Sequence, residues 1–150
     1  MSEIKRYFQE NYLENISSSK SHSERRNSFS INSKEKFTKI LLEKGVFIDS
    51  NGSKCECVFL RDANDETFFL ELKGRSSNVV KGLEQVMNSI VEVKKLVPLE
   101  NDKIHGFIIG SRTSPNATAS LNILKRKFRK SYKKKIVIST GNRYIHVIKS

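Results

Sequence analysis

Residues 54–73 read KCECVFLRDANDETFFLELK, and no other stretch constrains the chain as tightly. Two apolar runs, rich in β-branched and aromatic residues and separated by a polar turn, predict strands at 54–60 and 67–73. Residues two apart on a strand share a face. Glu71 and Lys73 therefore project together, while Leu70 and Leu72 point the other way. Glu56 is the only acid of the upstream strand, and Cys55 and Cys57 are expected to flank it on the opposite face. If the strands pair through Arg61–Glu66, Glu56 approaches Glu71, and two carboxylates and a lysine meet at one end of a sheet. Such a group suits a hard cation, Mg²⁺ or Mn²⁺, which takes oxygen ligands and substrate phosphates.

The flanking sequence supplies elements to carry this pair. Residues 36–48 fit a helix or a strand. Strand is preferred, with Gly45 at a bulge, because Asn51-Gly52 downstream is a hairpin-turn signal. The strands at 38–48, 54–60 and 67–73 then form a meander. Residues 78–97 predict a helix whose apolar stripe is Val79, Val80, Leu83, Val86, Met87, Ile90 and Val91, with Pro98 beyond its end. Gly82, Gln85 and Ser89 form a second strip of small and polar residues, and a glycine in mid-helix suggests close approach to a neighbour. A buried strand at 104–110 follows by crossover. The loop 110–116 holds Ser111 and Arg112, which either touch phosphate or serve structure. A helix at 117–132, with Leu121, Leu124 and Phe128 buried, precedes terminal strands at 136–139 and 144–148. At the N-terminus, residues 3–15 predict an amphipathic helix. The Ser-rich segment 17–33 shows no apolar period and reads as a flexible loop. The fold class expected is α/β in a single domain, one mixed sheet flanked by helices on both sides, in the order α-βββ-α-β-α-ββ.

An acid on one strand, Glu71-Leu72-Lys73 ending the next, and Gln85 on the following helix together resemble the PD-(D/E)XK nuclease superfamily. The ELKG ending and KGLEQV on the helix are similar to a bacterial branch of it. The resemblance implies a restriction-endonuclease-like core and metal-dependent hydrolysis of phosphodiester bonds. Glu56 and Glu71 would hold the metal, with Lys73 and Gln85 completing the catalytic set. It also implies a further ligand from an N-terminal helix, for which Glu10 and Glu14 are the candidates. One departure is plain: the family usually carries Asp where this chain has Glu56.

Charge bears on the partner. Lys and Arg total 28 against 16 Asp and Glu, a net charge of +12, which favours a polyanion. The block 125–135, KRKFRKSYKKK, concentrates this excess. Lys125, Arg126, Lys127, Arg129, Lys130, Lys133, Lys134 and Lys135, together with Arg112, are the expected nucleic-acid contacts, and Phe128 and Tyr132 between them are assigned to packing. DNA ranks ahead of RNA, a homodimer is admitted, and no membrane partner is expected. The two cysteines read as small core residues of a reducing, cytoplasmic setting, since Cys-x-Cys suits neither an easy disulfide nor a zinc site. Two rival functions stand beside the nuclease: a non-catalytic nucleic-acid-binding module on the same fold, and a basic protein that docks an acidic protein partner.

Overall fold

Strict alternation in residues 57–60 and 67–72 decides the architecture, because both faces of these strands are apolar and each must be covered. Val58, Leu60 and Phe69 point into one core, and Cys57, Phe59, Phe68 and Leu70 into another. The computed structural model describes residues 2–73, 78–110 and 118–149. Among these, three helices and nine strands form a mixed α/β fold with two sheets.

The larger sheet has six strands. Strands β4 (Phe37–Leu41), β5 (Cys57–Arg61) and β6 (Thr67–Leu72) form the expected antiparallel meander. The short β1 (Ile16–Ser17) pairs antiparallel with β4 at one edge. After β6 the chain enters α2 (Val79–Leu96) and returns as β7 (Ile104–Ile109), parallel to β6, with Glu71 opposite Ile108. Helix α3 (Thr118–Tyr132) leads to β8 (Val137–Ser139), parallel to β7.

Each helix is placed by its own sequence. The Ser2 side chain accepts a hydrogen bond from the Lys5 amide (3.0 Å) and starts α1 (Glu3–Asn11). Asn78 caps α2 through Val80 N (2.8 Å). α2 buries Val79, Leu83, Val86 and Ile90 against the sheet, whereas Val91, expected in the same stripe, is exposed. Helix α1 joins that core through Ile4 and Phe8, and α3 through Leu121, Phe128 and Tyr132.

The opposite face corrects two expectations. No helix among the described residues covers it. A second sheet does so, built by β2 (Ser21–Glu24), β3 (Asn27–Asn32) and β9 (Arg143–Val147). Segment 17–33, read as a flexible loop, supplies two of these strands. Asn27–Asn32 alternates polar with apolar, and its Phe29 and Ile31 are buried against Phe59 and Phe107. Two apolar residues at period two suffice for a strand when the large sheet offers them a surface. The terminal strands also divide between the sheets, β8 joining β7 and β9 joining β3 in parallel.

Two local irregularities matter for the site. The strand expected at 38–48 stops at Leu41, and Leu42–Val46 form one wide helical turn. Glu56 and Cys57 both stand opposite Leu70, the first by its amide bond to Leu70 O (3.1 Å) and the second by strand register. This bulge reverses the side-chain alternation. Cys55 therefore enters the core under α2 and Cys57 the core under the second sheet, not one shared face. Both thiols are free and fully buried. Burial pushes Cys55 up to about 12 and Cys57 well above its usual value, so neither is a reactive thiolate.

Candidate active site

The bulge at Glu56 and the end of β6 bring the expected acids together. Glu56 Oε2 accepts a hydrogen bond from the Leu72 amide (3.1 Å), one residue beyond Glu71. Glu71 Oε2 lies 3.0 Å from Lys73 Nζ. The backbone of Lys73 is held from both sides: its amide donates to Ile109 O (2.8 Å), and its carbonyl accepts from Asn27 Nδ2 (2.7 Å). Gly82 makes room for the lysine stem, since a Cβ there would lie 3.3 Å from Lys73 Cε and 3.2 Å from Ile108 Cγ2. The expected close approach of the mid-helix glycine is thus to Lys73 and β7.

The second strip on α2 docks onto the segment that precedes Glu56. Ser89 Oγ accepts from the Cys55 amide (2.8 Å) and donates to Gln85 O (2.7 Å). Gln85 Nε2 donates to Lys54 O (3.3 Å), which leaves Gln85 Oε1 facing inward. Glu56, Glu71, Lys73 and Gln85 all line one cavity of about 200 Å³. Larger hollows of about 380, 350 and 340 Å³ lie beside α1, on α3 and around Pro98. The first two gather at most one carboxylate. The third has Glu3, Asp65 and Glu100, none of them buried, so the burial of Glu56 and Glu71 picks out the candidate.

The cavity's buried acceptors are incomplete. Among the described residues, four buried side-chain atoms have no hydrogen-bond partner: Asp65 Oδ1, Thr67 Oγ1, Glu71 Oε1 and Gln85 Oε1. The first two belong to the other end of β6, and the last two share this cavity. Glu71 is 3% exposed and Gln85 7%. Leaving such acceptors unpaired is costly. Burial raises the Glu71 carboxyl to about 7, Lys73 offsets this only in part, and Glu43 and Glu24 push further upward. A cation beside Glu71 would relieve both the unpaired oxygens and the repulsion from Glu43 and Glu24.

Sequence reading missed several lining groups. Glu24, Arg25 and Asn27 reach the cavity from the β2–β3 hairpin, and Glu43 from the turn after β4. Arg25 sits in the two-residue hairpin turn with φ of +56°. His22, on β2, points its Nε2 at Glu56 Oε1 from 3.6 Å. Burial lowers this histidine to about 4, so the ring is neutral at pH 7. The alternation around Phe29 and Ile31 was the available signal, because it makes 27–32 a strand and thereby fixes where residues 22–25 lie. The N-terminal acids are different. Glu10 and Glu14 are exposed and line none of these cavities, whereas Glu24 of β2 lines both.

Of the expected nucleic-acid contacts, Arg112 and Ser111 lie outside the described residues. Lys125, Arg126, Lys127, Arg129 and Lys130 are exposed along α3, Lys133 and Lys135 are exposed just beyond it, and Lys134 is half-buried. Lys134 Nζ donates to the Asp102 carbonyl. Phe128 and Tyr132 pack inward, edge to face. Lys125, Arg126, Arg129 and Lys135 border the hollow of about 350 Å³. Among the described residues no helix is long and apolar enough to cross a membrane. Comparison with known proteins returned no matching family model, no matching curated protein and no matching solved structure.

Proposed function

We propose that the protein is a divalent-cation-dependent nuclease on a restriction-endonuclease-like core. The observation that carries this reading is the meeting of Glu56, Glu71, Lys73 and Gln85 on one cavity in which two buried acceptors have no partner among the described residues. The element order supports it: an antiparallel meander, a crossover helix and a parallel strand, with the acids on the meander and the glutamine on the helix. The exposed cations of α3 and the net charge of +12 suit a polyanionic substrate.

Each residue then has a stated task. Glu56 and Glu71 would hold Mg²⁺ or Mn²⁺, which when bound polarises a phosphate oxygen and lowers the pKa of water. Glu56 is held for this by the Leu72 amide on the wall of the cavity. Lys73 supplies a fixed positive charge beside the scissile phosphate and stabilises the charge that grows there. Gln85 offers Oε1 to water or to Lys73. The α3 cations hold the backbone without reading sequence.

The eight Lys and Arg of 125–135 also favour a second reading, a module that binds nucleic acid without cutting it. Incubating the protein with single- and double-stranded DNA and RNA in Mg²⁺, Mn²⁺ or EDTA separates the two. Metal-dependent cleavage is expected. Binding in EDTA with no cleavage in any metal would leave only the module.

A further inference from the structure

A second group of donors adjoins the first. One ring nitrogen of His22 and one carboxylate oxygen each of Glu24 and Glu56 all lie within 4.8 Å of one another. They line a cavity of about 140 Å³ that shares Glu24, Glu43 and Glu56 with the cavity of about 200 Å³ holding Glu71 and Gln85. Glu56 faces both ways. Its Oε2 is bound to the Leu72 amide, and its Oε1 is the oxygen that His22 addresses. The His22–Glu56 separation of 3.6 Å is longer than a hydrogen bond. Three donors about 2.1 Å from one ion would lie roughly 3–4.2 Å apart. The half-exposed Glu24, whose side chain among the described residues is tied only to the exposed Lys44 at 3.2 Å, can swing to close the remainder.

The geometry points to a second divalent-cation site, formed by His22, Glu24 and Glu56, that takes an imidazole-accepting ion such as Mn²⁺, Co²⁺ or Zn²⁺ in preference to Mg²⁺. The donor set dictates the preference. Carboxylates alone suit Mg²⁺, but an imidazole ligand suits transition metals, and affinity at such sites rises from Mn²⁺ towards Zn²⁺. Electrostatics point the same way. In a chain of net charge +12, four of its 16 acids line the joined cavities, and a dication offsets their repulsion. In the adjoining cavity of about 200 Å³, which Glu24 and Glu56 also line, the buried Glu71 Oε1 and Gln85 Oε1 have no hydrogen-bond partner among the described residues. This site rests on the nuclease reading only through Glu56, the residue common to both. It makes the β2–β3 hairpin part of the metal centre and the choice of metal a property of His22.

The test counts ions and looks for nitrogen. Mn²⁺ is titrated into the full chain, bound ion is counted from loss of the free-ion EPR signal, and pulsed EPR reads coupling to ¹⁴N. Wild type should bind two Mn²⁺, one of them coupled to nitrogen. His22→Ala should abolish that coupling and weaken one ion at least tenfold while the other remains. Glu71→Gln should weaken the other and keep the coupling. Mg²⁺ should displace the nitrogen-coupled ion at least tenfold less well than Zn²⁺. Absence of nitrogen coupling in wild type would overturn the site without need of any variant. Coupling that persists in His22→Gln, the substitute should His22→Ala fail to fold, would assign the imidazole elsewhere and overturn it too. If one ion binds without nitrogen and Glu71→Gln removes it, the second site alone fails. If no ion binds at all, the nuclease reading fails with it.

Discussion

The two ends of strand β6 each carry a glutamate beside cations, and they are finished differently. At the start, both oxygens of Glu66 are engaged. Oε1 accepts from Arg61 Nη1 (2.9 Å) and Asn64 Nδ2 (2.8 Å), and Oε2 meets His105 Nε2 at 2.7 Å. Arg61 is held in turn by Glu35, and the His105 ring stacks on Phe68 at 4.5 Å. Burial alone would raise Glu66, but hydrogen bonds from Asn64 and His105 and the charges of His105 and Arg61 outweigh it, and its pKa falls below the usual value. At the far end Glu71 has one partner, Lys73, and one oxygen without any among the described residues. Its pKa rises to about 7. The Glu66 carboxylate is fully partnered, although Asp65 Oδ1 and Thr67 Oγ1 beside it have no partner among the described residues, whereas the Glu71 carboxylate itself keeps one oxygen unpartnered there.

The sharpest way to break the comparison is to remove one charge from each end. Lys73→Ala should lower kcat for cleavage by at least about 100-fold, the scale of losing a group that acts on transition-state charge. Its Kd for nucleic acid should change less than about threefold, because the α3 cations still hold the phosphates. Glu66→Gln should show the converse, about 1–3 kcal/mol less stable from the loss of buried charge-assisted bonds with cleavage unchanged. Equal cleavage loss in both variants would mean that the two ends do not differ in the way their partnering indicates.

The pH dependence separates the ends more finely. A carboxyl whose folded pKa is raised binds protons more tightly when folded, so its contribution to stability falls as pH climbs through the gap. For Glu71 the gap runs from 4.5 to about 7. At about 1.4 kcal/mol for each tenfold in proton affinity, that is about 3 kcal/mol. His22, lowered from 6.5 to about 4, acts in the opposite sense over nearly the same window and masks the effect in wild type. The Glu71 term appears as a difference. Relative to wild type, Glu71→Gln should gain up to about 3 kcal/mol between pH 4.5 and 7 in metal-free denaturant unfolding. A flat difference would show that Lys73 already satisfies the carboxylate. Glu66→Gln should trend the other way over acid pH, since that carboxyl is lowered.

How much of this was legible depended on whether local pattern and tertiary surface agreed. The meander, α2 and the crossover to β7 were readable because Phe68–Leu72 and Val79–Ile90 carry unbroken apolar periods. Glu71, Lys73 and Gln85 followed, as period two and period 3.6 place them on one side. Glu56 was placed near the site for an incomplete reason. A regular strand would have put Cys55 and Cys57 together, and only the bulge opposite Leu70 separates them, which composition does not announce. The second sheet was hidden because polar Ser and Asn outnumber Phe29 and Ile31. Those two side chains become strand determinants only once the large sheet presents Phe59 and Phe107 to them. That His22 and Glu24 were missed is a direct result, since their position depends on that docking.

Moving away from β6, α3 tests whether the open end belongs to a longer substrate path. Replacing Lys125, Arg126 and Arg129 with alanine should weaken binding alike for all sequences. The log–log salt slope should flatten by roughly 0.7–0.9 for each phosphate contact removed. Cleavage at saturating substrate should change little. An unaltered salt slope would locate the nucleic acid on another face and leave the α3 cations as solvated charge.

The smallest expected effect comes from a methyl group. Gly82 lies in mid-helix, where alanine is favoured by roughly 1 kcal/mol. The added Cβ would stand 3.2 Å from Ile108 Cγ2 and 3.3 Å from Lys73 Cε, close enough that one neighbour must move by a few tenths of an ångström. Ile108 is locked in the core between β6 and α2, whereas the lysine stem is flexible, so Lys73 gives way. Helix propensity and crowding then largely cancel, and the melting temperature of Gly82→Ala should stay within a few degrees of wild type. Cleavage should not stay level: a displaced ammonium slows the step that depends on its position, and a several-fold drop in kcat with KM unchanged is expected. Glycine here would thus serve the open end of β6 rather than the helix that contains it. A variant that gains stability and keeps full kcat would show that Lys73 needs no such space, and would remove the glycine from the account of the site.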